Sequence, residues 1–460
     1  MLLKNSAGQV RFYSTNRQSP LVPFSEALMK GLAPDGGLYM PERISRLRES
    51  SLRNLMQLTY PELAARILYP YVSSEVPEDD LLAIASDSYD FDIPVERVDD
   101  NLYILRLDRG PTASFKDFAA RMMARLMQYF IRSSGRRLLI LVATSGDTGS
   151  AIASAFHGLP GAEVVILFPR NEVSENQRRQ MTTLGGNIRT LSVDCKFDDC
   201  QRLVKKAFGD PELEGMGLSS ANSINIGRLL PQSVYYFYAW LSLAGKSSQQ
   251  TSFAIPSGNF GNMMGGMIAT RMGLPAGRFL IAVNGNDEFP RYLETGRYKP
   301  VVPSVNCISN AMNVGHPSNL ARLVDLYGGN MNETGTIVKE PDMKSMRRDI
   351  YSLSVSDEMT VETIKSYYSK FGILIEPHGA VSLTAVDRYR RETAMRGAKP
   401  GLIIAVETAH PAKFPEVVGA ATGMLPPVPE PLKGLDEKRE VFIETDGRYE
   451  TLRDFLKSIK

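Results

Sequence analysis

"RLLILVATSGDTGSAIASAFHG", residues 137–158, decides how this chain folds. Arg137–Thr144 is an apolar run of strand length. The chain then turns on Gly146 and Gly149 and enters a helical pattern that stops at Gly158. The same strand-then-helix unit recurs outward from it. "EVVILFP" reads as the next strand and "SENQRRQMTTLGG" as a helix with a glycine stop, and "NIRTLSVD" with "FDDCQRLVKKAFGD" repeats the pair. Later come "TSFAIPSGNFGNMMGGMIATRMG", "FLIAVN", and "GAVSLTAVDRYRRETAMRG" before "GLIIAVET". Apolar strands alternating with helices predict an α/β fold with mainly parallel sheet and helices on both faces.

Upstream the pattern differs. Residues 1–95 are irregular, with short helical stretches between prolines and the turn-rich "GLAPDGGLYMPE" (Gly31–Glu42). This part reads as a small N-terminal domain or an arm packed on the main body. Residues 96–425 carry the repeated α/β units. Residues 426–460 open with "PPVPEPLKG", continue with mixed charge, and read as a loose appendage with some local structure. The charges of "NEVSENQRRQM" read as those of a solvated helix.

Bulk composition narrows the function. The 460 residues can hold two or three domains with a sizeable core. Lys and Arg number 53 against 51 Asp and Glu, a formal charge of +2 without long runs of one sign. That argues against a nucleic-acid or membrane surface as the main partner, while a local basic patch can still hold a small anion. Cys195, Cys200 and Cys307 lack C-x-x-C spacing, which suits reduced thiols in a cytosol-like compartment. The N-terminus lacks the features of a signal peptide, and no apolar run is long enough to span a bilayer. The expectation is a soluble cytoplasmic protein. His157, His316, His378 and His410 show no metal-ligand spacing, and no G-x-S-x-G elbow is present, so neither a metal centre nor a serine hydrolase is expected.

Three loops lie where such sheets bind ligands, beyond the carboxyl ends of strands. In "ATSGDTGS" (Ala143–Ser150), Thr144, Ser145, Asp147 and Thr148 crowd around two glycines ahead of a helix. Free backbone N–H groups there favour a carboxylate or phosphate, although the same residues also serve as an ordinary N-cap. "PSGNFGN" (Pro256–Asn262) suits a phosphate nest or a tight turn. It has neither the P-loop ending nor the dinucleotide fingerprint. "SSANSINIGRLLPQ" (Ser219–Gln232) places Ser and Asn donors ahead of Arg228, a set that holds a phosphate or caps a helix.

One lysine stands out beside these loops. Lys116, in "GPTASFKDFAARMMARLM" (Gly110–Met127), lies among Phe115, Asp117 and Phe118 where a helix begins. A lysine enclosed by apolar groups loses proton affinity, and a neutral amine forms a Schiff base with an aldehyde. A snorkelling surface lysine is the alternative. Such a lysine beside two anion loops suggests pyridoxal phosphate (PLP).

Together these segments resemble the threonine synthase family, PLP-dependent enzymes of the tryptophan-synthase-β-like fold. The matching stretches run from "STN…PFSEALMKGLAPDGGLYMPE" through "GPTASFKDFA", "ATSGDTGSA", "SANSINIGRLLPQ", "IPSGNFGN" and "NAMNVGHPSN" to "TAHPAKFPE", over about residues 1–420. The resemblance implies two α/β catalytic lobes behind the N-terminal domain. It implies Lys116 as the residue bound to PLP and the proton carrier at the substrate. Ser257, Gly258, Asn259, Phe260, Gly261 and Asn262 would line the cofactor-phosphate loop, with Thr408 at the pyridine nitrogen. Thr144, Ser145, Asp147 and Thr148 would meet the substrate carboxylate, with Asp147 also beside the cofactor. Asp147 would be protonated, act in proton transfer, or turn away. Asn222, Ser223, Asn225 and Arg228 would contact the substrate phosphate. His316 and His410 are expected to make structural hydrogen bonds.

The implied reaction converts O-phospho-L-homoserine and water to L-threonine and phosphate, by β,γ-elimination and replacement. The alternatives are a related phospholyase releasing 2-oxobutyrate, ammonia and phosphate, or a non-catalytic PLP-binding protein. The implied assembly is a monomer or homodimer acting on a small molecule.

Overall fold

The computed structural model describes residues 9–135, 137–243 and 251–459. The first eight residues, part of the segment read for a signal peptide, lie outside them.

Two sheets form the body. The larger is ordered Ile350–Ser354, Ala276–Val283, Thr251–Pro256, Ile403–Glu407, Leu102–Arg106 and Val95–Arg97; all neighbours are parallel except the last pair. The smaller is parallel throughout, ordered Ile443–Thr445, Ile188–Val193, Ala162–Pro169, Leu138–Ala143 and Leu218–Ser219. Every residue of Leu138–Ala143 is buried, as a strand with helices on both faces requires. The chain leaves the larger sheet along the helix Lys116–Ser134, builds the smaller sheet, and returns at Thr251.

Among the described residues, the N-terminal segment has no core of its own. It forms an antiparallel pair, Phe12–Ser14 with Tyr39–Pro41, and the helices Phe24–Lys30, Tyr60–Val72 and Glu78–Ser88. Its apolar side chains merge with the inner faces of both sheets in one continuous cluster. The helix Lys116–Ser134 is seated in this layer, with Phe118 packed edge-on against Tyr60, Phe91 and Tyr235. The aromatics around Lys116 are thus the anchor that holds its helix.

The tail is not a loose appendage. Ile443–Thr445 adds a parallel edge strand to Ile188–Val193. The helix Tyr449–Ser458 buries Tyr449, Leu452 and Leu456 in a cluster with Cys200, Leu203 and Leu213. These three side chains recur at spacings of three and four, an amphipathic stripe concealed among mixed charges. The helix Glu175–Thr182 also departs from expectation. Its Arg178 and Arg179 face outward toward Glu440, but Gln177 and Gln180 are buried.

Candidate active site

The cavity lies between the lobes, where loops leave the carboxyl ends of strands in both sheets. Lys116 is the first residue of its helix. The loop before it is pinned to the end of a central strand: Phe115 N donates to Thr408 O at 2.9 Å. Asp117 receives Thr112 N at 2.8 Å and Thr112 Oγ1 at 2.6 Å, closing the turn. The Lys116 side chain is 14% exposed, and its Nζ stands 3.6 Å from Asp147 Oδ2. Burial pushes its proton affinity down, Lys413 and Arg228 push the same way, and Asp147 opposes them.

Asp147 does not turn away. Its Oδ1 meets Lys413 Nζ at 2.6 Å and Gln177 Nε2 at 2.9 Å. Burial disfavours its charge, but Lys413 and Lys116 outweigh burial and hold the carboxyl well below the usual carboxylate range. The two lysines favour its charged form, against the protonated alternative. Thr144 Oγ1 accepts from Gly146 N at 3.0 Å and Gly149 N at 2.8 Å, so this hydroxyl shapes its own loop. Ser145 and Thr148 line the cavity beside it, at the N-terminus of the helix Asp147–Phe156.

The loop after Thr251–Pro256 enters the helix Gly261–Arg271 through Phe260, whose φ is +61°. Gly258 passes so close to the chain at 311–312 that a Cβ would lie 2.8 Å from Met312 Cα. The first backbone N–H groups of that helix have no intrahelical acceptor. Asn262 Oδ1 takes the hydroxyls of Tyr235 and Tyr236, both at 2.6 Å, while its buried Nδ2 has no partner. Asn259 Nδ2 donates to Ser223 Oγ at 2.8 Å, and its Oδ1 accepts from Ser318 N at 2.6 Å. Thr408 lines the same cavity.

Arg228 is buried inside the third loop, and burial pushes its pKa down to about 10. Its Nη1 donates to Ala221 O at 2.7 Å, and its Nε is buried without a partner. Asn222 Nδ2 donates to Ala143 O at 2.9 Å and lines the cavity with Ser223. Asn225 does not belong to this site. Its amide donates to Leu28 O and Ser220 O, and its carbonyl caps Gly227 N, so the helix N-cap consumes the side chain.

A larger cleft of about 430 Å³ adjoins the cavity and shares Asn222, Asn259 and Val314 with it. Thr15, Asn16 and residues 36–38 form one wall, so the N-terminal segment shapes the approach to Lys116.

Sequence reasoning missed several groups. Lys413 is fully buried, and its flanking Ala412 and Phe414 are the same apolar signal that singles out Lys116. Gln177 reaches Asp147 from a helix whose charges suggest solvent. His378 lines the cavity: its Nε2 accepts from Ala311 N at 3.1 Å, which leaves Nδ1–H to donate to the Glu376 carboxylate. Arg322, completely buried, donates to the carbonyls of Tyr39, Ser223 and Ile224. His316 bonds Tyr298 OH at 2.6 Å, and His410 Nδ1 accepts from Ala412 N at 3.2 Å. Among the described residues, no group of three or more His, Cys, Asp or Glu could hold a metal ion, and no helix is long and apolar enough to cross a membrane.

These residues fit a phosphorylated aldehyde cofactor. An enclosed amine shares the cavity with a helix N-terminus, and the unpaired donors Asn262 Nδ2 and Arg228 Nε lie buried among residues lining the same cavity.

The chain matches three family models: "Pyridoxal-phosphate dependent enzyme" over residues 92–406, "Threonine synthase N terminus" over 11–89, and "Threonine synthase, C-terminal" over 379–456. It is 39% identical to the threonine synthase of Haemophilus influenzae, over 97% of this chain and 99% of that one. With the Escherichia coli enzyme the identity is 36%, over 92% and 94%. The crystal structure of PLP-bound threonine synthase from Brucella melitensis matches with a TM-score of 0.88 at 35% identity, covering 98% of this chain and 99% of that one. On fold, site and relatedness together, the chain belongs to the threonine synthase family.

Proposed function

We propose that this chain uses PLP held by Lys116 to convert O-phospho-L-homoserine and water to L-threonine and phosphate. The convergence of the Lys116 amine with two anion-handling loops in one cavity carries this reading. The backbone of Gly258, Phe260 and Gly261, with Asn262 Nδ2, would hold the cofactor phosphate, Ser257 and Asn259 shape that loop, and Thr408 meets the ring nitrogen. When bound, the cofactor supplies an electron sink that makes the substrate's Cα and Cβ protons acidic.

The protein's residues do the rest. The 144–148 loop, at a helix N-terminus, orients the substrate carboxylate through Ser145 and Thr148. Arg228 and the Ser223 hydroxyl, whose oxygen already accepts from Asn259, take the substrate phosphate, with Asn222 alongside. Lys116 Nζ removes the protons at Cα and Cβ, phosphate leaves with the Cγ–O bonding pair, and the same amine then protonates Cγ. Water then adds its hydroxyl at Cβ while Lys116 returns the second proton to Cα, and the apolar walls of Phe115, Phe260 and Met312 limit competing water.

The lobes and the N-terminal wall of one chain enclose the cavity, which suits a monomer or a homodimer with independent sites. The three free thiols suit a cytoplasmic setting. We divide the chain into an N-terminal region to residue 95, a catalytic region over 96–425, and a C-terminal region that packs on the smaller lobe.

The test is a product assay. PLP-loaded protein is incubated with O-phospho-L-homoserine, and phosphate, threonine and 2-oxobutyrate are quantified, with Lys116→Ala as control. Threonine equal to phosphate and lost in the variant is the expected result. Phosphate accompanied by 2-oxobutyrate would replace the synthase with a phospholyase, and PLP binding without product would overturn the substrate.

A further inference from the structure

Asp147 stands between two lysines. Its Oδ1 lies 2.6 Å from Lys413 Nζ and its Oδ2 lies 3.6 Å from Lys116 Nζ. The first contact is a full ion pair; the second is longer than a hydrogen bond. Lys413 is entirely enclosed, with no solvent exposure of its side chain. Its Nζ also donates to Thr112 O at 3.0 Å, on the loop that leads into Lys116. Gln177 Nε2 donates to the oxygen that Lys413 holds, at 2.9 Å. Lys413 lies five residues beyond Thr408, at the end of a short helical turn that begins at Pro411. One short segment therefore carries both Thr408 and Lys413 to the cavity region.

We propose that Lys413 is a positioning residue for the reaction: it claims one oxygen of Asp147 in a closed ion pair, fixes that carboxylate, and so leaves the Lys116 amine free to bond the cofactor and carry substrate protons. This rests on the assignment of Lys116 above. In a dry cavity, a carboxylate without a second cation would be compensated by Lys116 alone, and the resulting pair would hold that amine as an unreactive ammonium. With Lys413 present, the negative charge is met before Lys116 approaches. The other charged or titratable groups facing this cluster are Arg228, which acts on Lys116, His378, which acts on Asp147, Asp117, which Lys413 faces from the turn below, and His410, three residues before Lys413 and acted on by it. Glu376 stands behind His378 as its hydrogen-bond partner. None of these makes an ion pair with Asp147, so the Lys413 contact is the one whose removal uncovers the carboxylate.

The experiment compares the wild-type holoenzyme with Lys413→Met, Lys413→Arg, Asp147→Asn and the Asp147→Asn/Lys413→Met double variant. Two readouts are taken across pH: kcat and KM for threonine formation, and the visible absorbance of the bound cofactor, which titrates without turnover. In Lys413→Met we expect kcat at neutral pH to fall at least about tenfold with KM changed less than about threefold. The midpoint of the cofactor absorbance should move up by about one pH unit or more. Lys413→Arg should restore most of both. Asp147→Asn alone should move the midpoint the opposite way, and this keeps the test decisive if Lys413→Met does not fold. In the Asp147→Asn background, adding Lys413→Met should shift the midpoint by less than roughly half as much. An unmoved midpoint in Lys413→Met or in Asp147→Asn would overturn the proposal. So would an equal Lys413→Met shift with and without Asp147. Failure of the substrate assignment looks different, because wild type would then make no threonine while the absorbance shifts still report on Lys413.

Discussion

Ser223 Oγ accepts a 2.8 Å hydrogen bond from Asn259 Nδ2, which joins the loop carrying Arg228 to the loop that opens the helix Gly261–Arg271. The two anion-handling loops come from different lobes, and this bond joins them beside Asn319 Nδ2, which donates to both Ser223 O and Asn259 O. With its acceptor role filled, the Ser223 hydroxyl proton is free to donate into the cavity. Arg228, with an unpaired Nε, supplies the charge.

Removing these groups should separate binding from folding. Arg228→Ala should raise KM for O-phospho-L-homoserine by tenfold or more, equivalent to about 1.5–3 kcal/mol for a charged hydrogen bond. Ser223→Ala should raise it by a few fold. Asn225→Ala should leave KM near wild type and lower stability by about 1 kcal/mol, because its side chain caps a helix. Steady-state kinetics and denaturant melts on the three variants check the contrast.

Gly149 lies where a Cβ would overlap Met181 Sδ and stand 2.6 Å from Thr144 Cγ2. Gly149→Ala should cost about 1–3 kcal/mol through overpacking. It should also displace Thr144, the hydroxyl that organises the loop. Urea unfolding gives the first quantity, and KM for the substrate gives the second.

His410 should make stability depend on pH. Burial lowers its pKa from an ordinary 6.5 to about 4, so the folded protein keeps it neutral while the unfolded chain takes up a proton. Its contribution is fully present above about pH 6.5 and is lost as pH falls toward 4, up to roughly 3 kcal/mol. His410→Asn retains an acceptor for Ala412 N, and its stability should fall less over that interval. Denaturant midpoints of both proteins across the interval provide the check.

Arg322 donates to Tyr39 O, Ser223 O, Ile224 O and Asn319 Oδ1 from a fully buried position. Arg322→Met would take this donor from all four acceptors, leaving Ser223 O only the Asn319 amide, and should destabilise the protein by about 3 kcal/mol or more. Because Ser223 and Ile224 belong to the Arg228 loop, KM should rise as well. Thermal unfolding and kinetics on the same preparation test both effects.

The tail should contribute to the body's stability. Leu456 is fully buried against the helix Phe197–Phe208, whose Phe197 and Gln201 line the cavity. Leu456→Ala should cost about 2–4 kcal/mol. Removing residues 436–460 should lower the melting temperature further and expose apolar surface to a hydrophobic dye.

Local pattern was enough for the alternation of strands and helices, for Lys116 at a helix start, and for the three polar loops. Each of these depends on neighbours within a few residues: an apolar run bounded by glycine, or hydroxyls ahead of a helix. The partners of Asp147 were not legible, since Gln177 stands 30 positions away and Lys413 farther still, and a charge's meaning depends on what burial brings against it. For the same reason Asn225 reads like Asn222 in sequence, yet the fold spends one on a cap and turns the other toward the cavity. The tail's three-residue stripe was present in the sequence, but only the edge of the smaller sheet gave it a surface to bury. Sequence determined which segments become strands, helices and ligand-bearing turns, because those choices are local. Tertiary structure decided which charges face one another and at what distance, because electrostatic strength in a protein depends on spacing and on the exclusion of water.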